Sequence, residues 1–167
     1  MSRANREMPC APDLLSYLLP DDGTFPNNAR LPLREPDAAD IEALLRANGW
    51  GGSWRNGVYS FHHYHSTAHE VLVVYGGSAC LRLGGERGII AEIASGDVVI
   101  ITAGVAHKNL GASADFRVVG AYAAGQAPDM NDGSPGERPR ADETIARLPL
   151  PARDPIYEAG GPLTSRW

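Results

Sequence analysis

Five histidines are present in the chain, and four of them, His62, His63, His65 and His69, fall within eight residues. Imidazole is the commonest protein metal ligand and titrates near neutrality, so such crowding points to metal binding or proton transfer before anything else. In an extended segment side chains alternate between faces, so His63 and His65 point one way while His62 and Tyr64 point the other. Glu70 follows after Ser66-Thr67-Ala68, a short polar stretch suited to a hairpin connection, and its carboxylate can return beside the two imidazoles. The fifth histidine, His107, lies in a later segment, after Gly104. His65 and His69 stand as an alternative pair, and His69 can equally support a ligand from behind.

Taken together, His63, His65, His107 and Glu70 offer three neutral imidazoles and one carboxylate. That donor set suits one divalent transition metal, whether iron, nickel, manganese, copper or zinc, whereas magnesium or calcium calls for mostly oxygen ligands. Around an octahedral ion, four protein ligands leave about two positions open to water, dioxygen or substrate, as a reactive site requires. A closed four-ligand zinc site would instead be structural. Tyr59 and Phe61 share the parity of the ligand histidines and are expected to line the cavity, with packing as their main role. Tyr122 becomes a pocket hydroxyl if its strand turns that face inward. No residue is singled out as catalytic, because Glu70 is taken as a ligand and no other carboxylate can be placed in the cavity.

Elements able to position such a set are written in the punctuation of the chain. Nineteen glycines and thirteen prolines in 167 residues favour short strands and many turns over long helices. Strands are expected over Val58 to His65, Glu70 to Tyr75, Ser78 to Leu83, Ile89 to Ile93, Asp97 to Ile101 and Phe116 to Ala123, with glycine-bearing turns between them. One helix precedes them, at about 38–48: Asp37 can cap it, Ile41, Leu44 and Leu45 form its apolar stripe, and Asn48-Gly49 ends it. Residues Leu14 to Leu33 show prolines and turn signals but no regular element. From Gly125 to Arg140 the chain is polar and reads as a long surface loop. Beyond it, Ile145, Leu148, Leu150, Ile156, Tyr157, Leu163 and Trp167 supply anchors for a C-terminal arm that docks on the barrel or on a second subunit. The expected division is an N-terminal extension over 1–50, a barrel over 51–125, and a loop and arm over 126–167.

Charge and composition exclude several function classes. Fifteen basic against twenty acidic residues give a net charge of −5, with no Lys or Arg cluster to serve as a phosphate-binding footprint, so nucleic acid is not an expected partner. No apolar run is long enough to cross a membrane, and Met1 to Pro12 lacks the apolar core of a signal peptide. Cys10 and Cys80 share no partner motif, which makes a reducing, cytoplasmic setting the default.

The spacing also resembles a known family. Gly57, five residues, His63, Tyr64, His65, four residues, Glu70, six residues and Gly77 match the first cupin motif at every position. The second motif is approximated by Gly96, Gly104 and His107, with Thr102 where proline is usual and Gly111 where asparagine is usual. Within that superfamily HHYHSTAHEVL, LRLGGERG, AGVAHKNL, DFRVVGAY and DPIYEAGGPL look like the YjlB-like cupin family, a resemblance that also takes in the PNN and NGW-GSWRNG segments. It implies an all-β, single-domain cupin, a double-stranded β-helix barrel, with His63, His65, Glu70 and His107 as metal ligands and with a homodimer as the assembly. The function expected is that of a small-molecule metalloenzyme of the non-haem dioxygenase type. The alternatives are a metal-dependent isomerase or lyase, and a non-catalytic cupin in which the metal anchors a small-molecule ligand. A regulatory cupin would carry a DNA-binding domain, and one clear helix before the barrel does not supply it.

Overall fold

Asp37 adopts extended backbone (φ −76°, ψ 127°), and its side chain accepts from the Ala39 N–H at 2.8 Å. One of the donors left over at a helix start is thereby satisfied, and helix α1 (Ala38–Ala47) begins there. Its Ile41 and Leu45 are fully buried, and Gly49, at φ 81°, turns the chain out of the helix. The computed structural model describes residues 37–158 and 160–166. The expectations for Met1 to Pro12, for Leu14 to Leu33 and for Trp167 lie outside the described residues.

Seven strands follow: β1 (Trp50–Asn56), β2 (Glu70–Gly76), β3 (Ser78–Leu83), β4 (Ile89–Ala94), β5 (Val98–Ile101), β6 (His107–Ala112) and β7 (Arg117–Ala123). They form a four-stranded sheet in the order β1-β7-β2-β5 and a three-stranded sheet in the order β4-β3-β6, with every pair antiparallel. Leu72 and Val74 of β2, Val99 and Ile101 of β5 and Val118 of β7 pack against Ala79, Leu81, Leu83 and Ile93 of the smaller sheet. This is the interior of a double-stranded β-helix barrel, the all-β architecture expected from the sequence. On its other face the four-stranded sheet packs Val71, Val73, Val98, Ile100, Val119 and Ala121 against Ile41, Leu45, Trp50 and Leu163. Because both faces are covered, β2 and β5 are continuous apolar runs, whereas β3, covered on one face, alternates. Each large aliphatic side chain fully buried here contributes roughly 1.5–3 kcal/mol.

Two strand expectations need correction. Val58 to His65 is not a regular strand. It is extended chain bridged at single points to two different partners, His63 to His107 and Tyr64 to Asn131, so no ladder propagates along it. The regular strand lies upstream, where β1 pairs with β7 across an irregularity between Gly51 and Trp54 that the glycines accommodate. Strand β6 was also absent from the expected set; its residues grow more exposed from His107 to Ala112 and give no apolar signal.

After β7 the chain makes the irregular segment expected between Gly125 and Arg140, then helix α2 (Arg140–Arg147) and the short helix α3 (Pro162–Arg166). The C-terminal arm docks on its own barrel. Trp50 Nε1 donates to the Arg153 carbonyl at 3.1 Å and Asn48 Nδ2 to the Pro155 carbonyl at 2.7 Å. Buried Asp154 ties the arm together by accepting from the N–H groups of Ile156, Tyr157 and Leu163.

One close approach couples this fold to its interior. Gly120 of β7 faces Trp54 of β1, and a Cβ added at Gly120 would lie 2.1 Å from the Trp54 ring. Gly120→Ala is therefore expected to displace the indole and to lower stability by about 1–3 kcal/mol through overpacking. Urea unfolding measures this, and a midpoint equal to that of the parent protein would contradict the assigned contact.

Candidate metal centre

The barrel brings four polar side chains to one point in its interior. Glu70 opens β2 and is held between β5 and β7 by its pairing with Ile101 and Tyr122. His107 opens β6. Reciprocal backbone bonds tie His107 to His63, with N–H to O distances of 3.2 Å from His63 and 2.8 Å from His107. His65 follows two residues later on the same side. The rings of His63 and His107 lie 4.0 Å apart, and one nitrogen of each of His63, His65 and His107 falls within 4.8 Å of the others. All three histidines and Glu70 are buried.

The backbone sets the tautomer of each imidazole. Nδ1 of His63 faces the Phe61 carbonyl at 3.3 Å, that of His65 the Asp129 carbonyl at 2.5 Å, and that of His107 the Val105 carbonyl at 3.1 Å. A carbonyl oxygen only accepts, so each Nδ1 carries the proton and each Nε2 keeps a lone pair. Glu70 Oε2 lies 3.2 Å from Nε2 of His107 and 3.7 Å from Nε2 of His65, yet this buried oxygen accepts no hydrogen bond. Three nitrogen lone pairs and an unsatisfied carboxylate oxygen thus converge without a proton between them. Such an arrangement costs free energy unless a cation sits at its centre, and the three histidines can hold one. The residues fit a divalent metal on this ground.

Tyr122 and Trp54 stand beside the carboxylate. Trp54 Nε1 donates to the Tyr122 hydroxyl at 3.0 Å, and Tyr122, paired with Glu70 across β7 and β2, lines the same cavity as that carboxylate. Burial, reinforced by the Glu70 charge, pushes the Tyr122 phenol well above its ordinary value. It stays protonated at neutral pH. The cavity beside these groups has a volume of about 260 Å³ and is also lined by Tyr59, Leu72 and Met130. A larger groove of about 690 Å³ runs between His62 to Tyr64 and the 132–138 segment, where Tyr64 donates to Glu137, but Glu70, His65 and His107 do not reach it.

Phe61, expected to line the cavity, and His69, read as an alternative ligand or a support from behind, both lie outside the cavity. Phe61 is half exposed and stacks on Tyr59 with ring centroids 4.9 Å apart, one step outside the cavity that Tyr59 lines. His69 precedes Glu70 and so turns away from it. Its Nδ1 accepts from the Ala103 N–H at 3.1 Å, and it is not among the residues of the cluster or of the cavity. Alternation along β2 explains both facts, since adjacent residues cannot share a face. His62, as expected, faces outward and meets Glu86 at 3.0 Å.

Sequence reasoning missed the part played by the polar loop. Asp129 accepts from the Ser66 N–H at 2.6 Å, from the Ser66 hydroxyl and from the Thr67 N–H at 3.3 Å, while its carbonyl takes the His65 proton. Burial alone would raise the Asp129 carboxyl, but these bonds, the Ser66 hydroxyl first among them, hold it down at about 2. A segment that reads as surface thus clamps the histidine segment from outside. Its signal in the sequence is one of two aspartates among prolines and glycines, which carries no direction.

The barrel with its inward histidines defines a cupin with a candidate metal centre. No family model matches the chain. It is 42% identical over 157 residues to the uncharacterized protein YjlB of Bacillus subtilis (strain 168), an alignment covering 91% of this chain and 95% of that one. The chain belongs to the YjlB family. Solved structures are more distant. A double-stranded β-helix protein from Klebsiella pneumoniae is 22% identical, with a TM-score of 0.36 over 47% of this chain and 72% of that one. An acireductone dioxygenase from Bacillus anthracis with cadmium in its active centre is 14% identical, with a TM-score of 0.40 over 55% of this chain. The DMSP lyase DddQ from Ruegeria pomeroyi is 18% identical, with a TM-score of 0.41 over 50% of this chain. The chain spans 63% and 43% of those last two structures, and at this distance they say nothing of its activity.

The buried cluster has a consequence for stability. Burial, followed by the neighbouring His107, lowers the His63 pKa from 6.5 to about 4. Folded protein then binds fewer protons at His63 than unfolded protein does. The His63 contribution to stability is complete above pH 6.5 and is lost as pH falls towards about 4. In metal-free protein the urea midpoint is expected to drop through that window, and His63→Gln, which cannot titrate, to flatten the drop. An unchanged pH slope in the variant would count against a buried neutral imidazole.

Proposed function

We propose that this protein binds one divalent transition-metal ion through Nε2 of His63, His65 and His107 and one oxygen of Glu70, and that it is a small-molecule metalloenzyme of the non-haem dioxygenase type. The observation that carries the reading is the convergence of three Nδ1-protonated imidazoles on a buried carboxylate oxygen that no donor satisfies. An ion so held would supply polarisation of a small molecule and, if redox-active as iron is, chemistry with dioxygen.

The chain's own residues would bind, orient and exclude water. Three backbone carbonyls fix the imidazoles, the Tyr122 hydroxyl, itself oriented by Trp54, lies in the same cavity as Glu70, and Glu70 Oε2 is free of any donor and available to the ion. Among the described residues lining the cavity, no second carboxylate stands ready as a general base, and the Tyr122 phenol is held protonated. That lack of an acid–base pair favours chemistry carried by the ion over proton transfer by side chains. The homodimer implied by the family resemblance belongs to the same proposal, and light scattering should return about twice the chain mass.

Protein purified without a nickel column is expected to contain about one equivalent of transition metal by elemental analysis. His63→Ala and His65→Ala should each lose most of it; full occupancy in both would overturn the ligand assignment. Reconstitution with ferrous iron should then give dioxygen uptake with a member of a panel of small acids, thiols and diketones. Silence across the panel with the site filled would remove the dioxygenase part of the proposal.

A further inference from the structure

The cavity's charges restrict what it can take. Three neutral imidazoles, one carboxylate and a divalent ion sum to a single positive charge, a count that rests on the metal reading above. Arg55 is the one fixed cation among the described residues lining the cavity, and it is already occupied: its Nε and Nη2 each meet a Glu42 carboxylate oxygen of helix α1 at 2.8 Å. Glu70 is the one carboxylate there. A ligand with two negative charges would leave one of them uncompensated beside Glu70, and a neutral ligand would leave the charge of the centre unbalanced, both costly away from water.

Apart from Asn56 and the Tyr122 hydroxyl, the remaining side chains of the walls are largely apolar. Trp54, Val58 and Leu72 form the inner surface, and Tyr59 and Met130 the rim. Tyr59 and Met130 are 53% and 55% exposed, and Phe61, stacked on Tyr59, is 49% exposed, so the mouth carries an apolar collar that meets solvent. The volume of about 260 Å³ falls below the roughly 300–1,000 Å³ of sites for drug-sized ligands, which limits the occupant to about one ring with a short substituent. From the charge count, the spoken-for Arg55 and the apolar collar, we infer that the cavity selects a small monoanion. Its charged head sits at the metal centre and its single-ring apolar body lies against Trp54, Tyr59 and Met130.

The test uses full-length protein loaded with cobalt(II), whose visible absorption reports on ligands at the ion, together with calorimetry. Four probes separate the terms: benzoate, phthalate as the dianion of the same ring, benzamide as its neutral counterpart, and acetate as the same head without a ring. Benzoate is expected to bind at least about tenfold more tightly than each of the other three. Met130→Lys, at an exposed rim position, supplies the missing second cation and should raise phthalate affinity at least about tenfold. Phthalate binding as tightly as benzoate to the parent protein would overturn the charge selection, as would unchanged phthalate affinity in Met130→Lys. Acetate equal to benzoate would overturn the apolar body. Protein that takes up no cobalt would overturn the metal reading and this inference with it, whereas stoichiometric cobalt without discrimination overturns the inference alone.

Discussion

The carbonyl oxygens of Phe61, Asp129 and Val105 each take the Nδ1 proton of one inward histidine, and much of the fold serves to bring them there. An imidazole free to choose its tautomer would present a lone pair to the barrel only part of the time. With Nδ1 committed to a backbone acceptor, Nε2 must face inward as an acceptor itself. The Phe61 and Val105 carbonyls lie two residues before their histidines, so those two locks are local and follow from the chain's own path. The Asp129 lock is different in kind, because it reaches His65 across 64 positions of sequence and needs the loop after β7 to fold back.

That difference sorts what could be read in the sequence from what could not. Runs such as Val71 to Val74 and Val98 to Ile101 announce strands buried on both faces, and the alternation of Ser78 to Leu83 announces one buried on a single face. Spacing within the first motif placed His63, His65 and Glu70 together, and the structure brings their side chains and that of His107 into one cluster. Alternation also decides between His69 and Glu70, since neighbours on a strand face opposite ways and Glu70 is the inward one. Alternation misleads over Val58 to His65, where aromatic and histidine residues carry strand propensity but the backbone forms isolated bonds and bridges in place of a continuous ladder. Strand formation depends on a neighbour as much as on the strand, and that neighbour is remote in sequence.

Residues missed by sequence reasoning act across such distances. Trp54 matters because Gly120 of β7 leaves room for its ring and Tyr122 accepts its N–H. Asp129 matters because Ser66 and Thr67 arrive with three donors. Nothing local marks either residue, and the composition of the loop, rich in proline and glycine, points towards solvent. A polar loop can nevertheless be structural where its backbone and one carboxylate satisfy buried donors, which is hydrogen-bond accounting and not hydrophobic burial.

The C-terminal arm gives the molecule a particular order of assembly. Its anchors join Trp50 to Arg153 and Asn48 to Pro155, contacts separated by 103 and 107 residues, and Leu163 completes the layer over α1 and the larger sheet. On the ribosome, β1 emerges long before the arm that covers its first residue. Helix α1 can cover its share of the outer face as soon as the sheet forms, but the part that Leu163 covers must wait for the arm, and such late, non-local closure lengthens the time a nascent chain shows apolar surface to its surroundings.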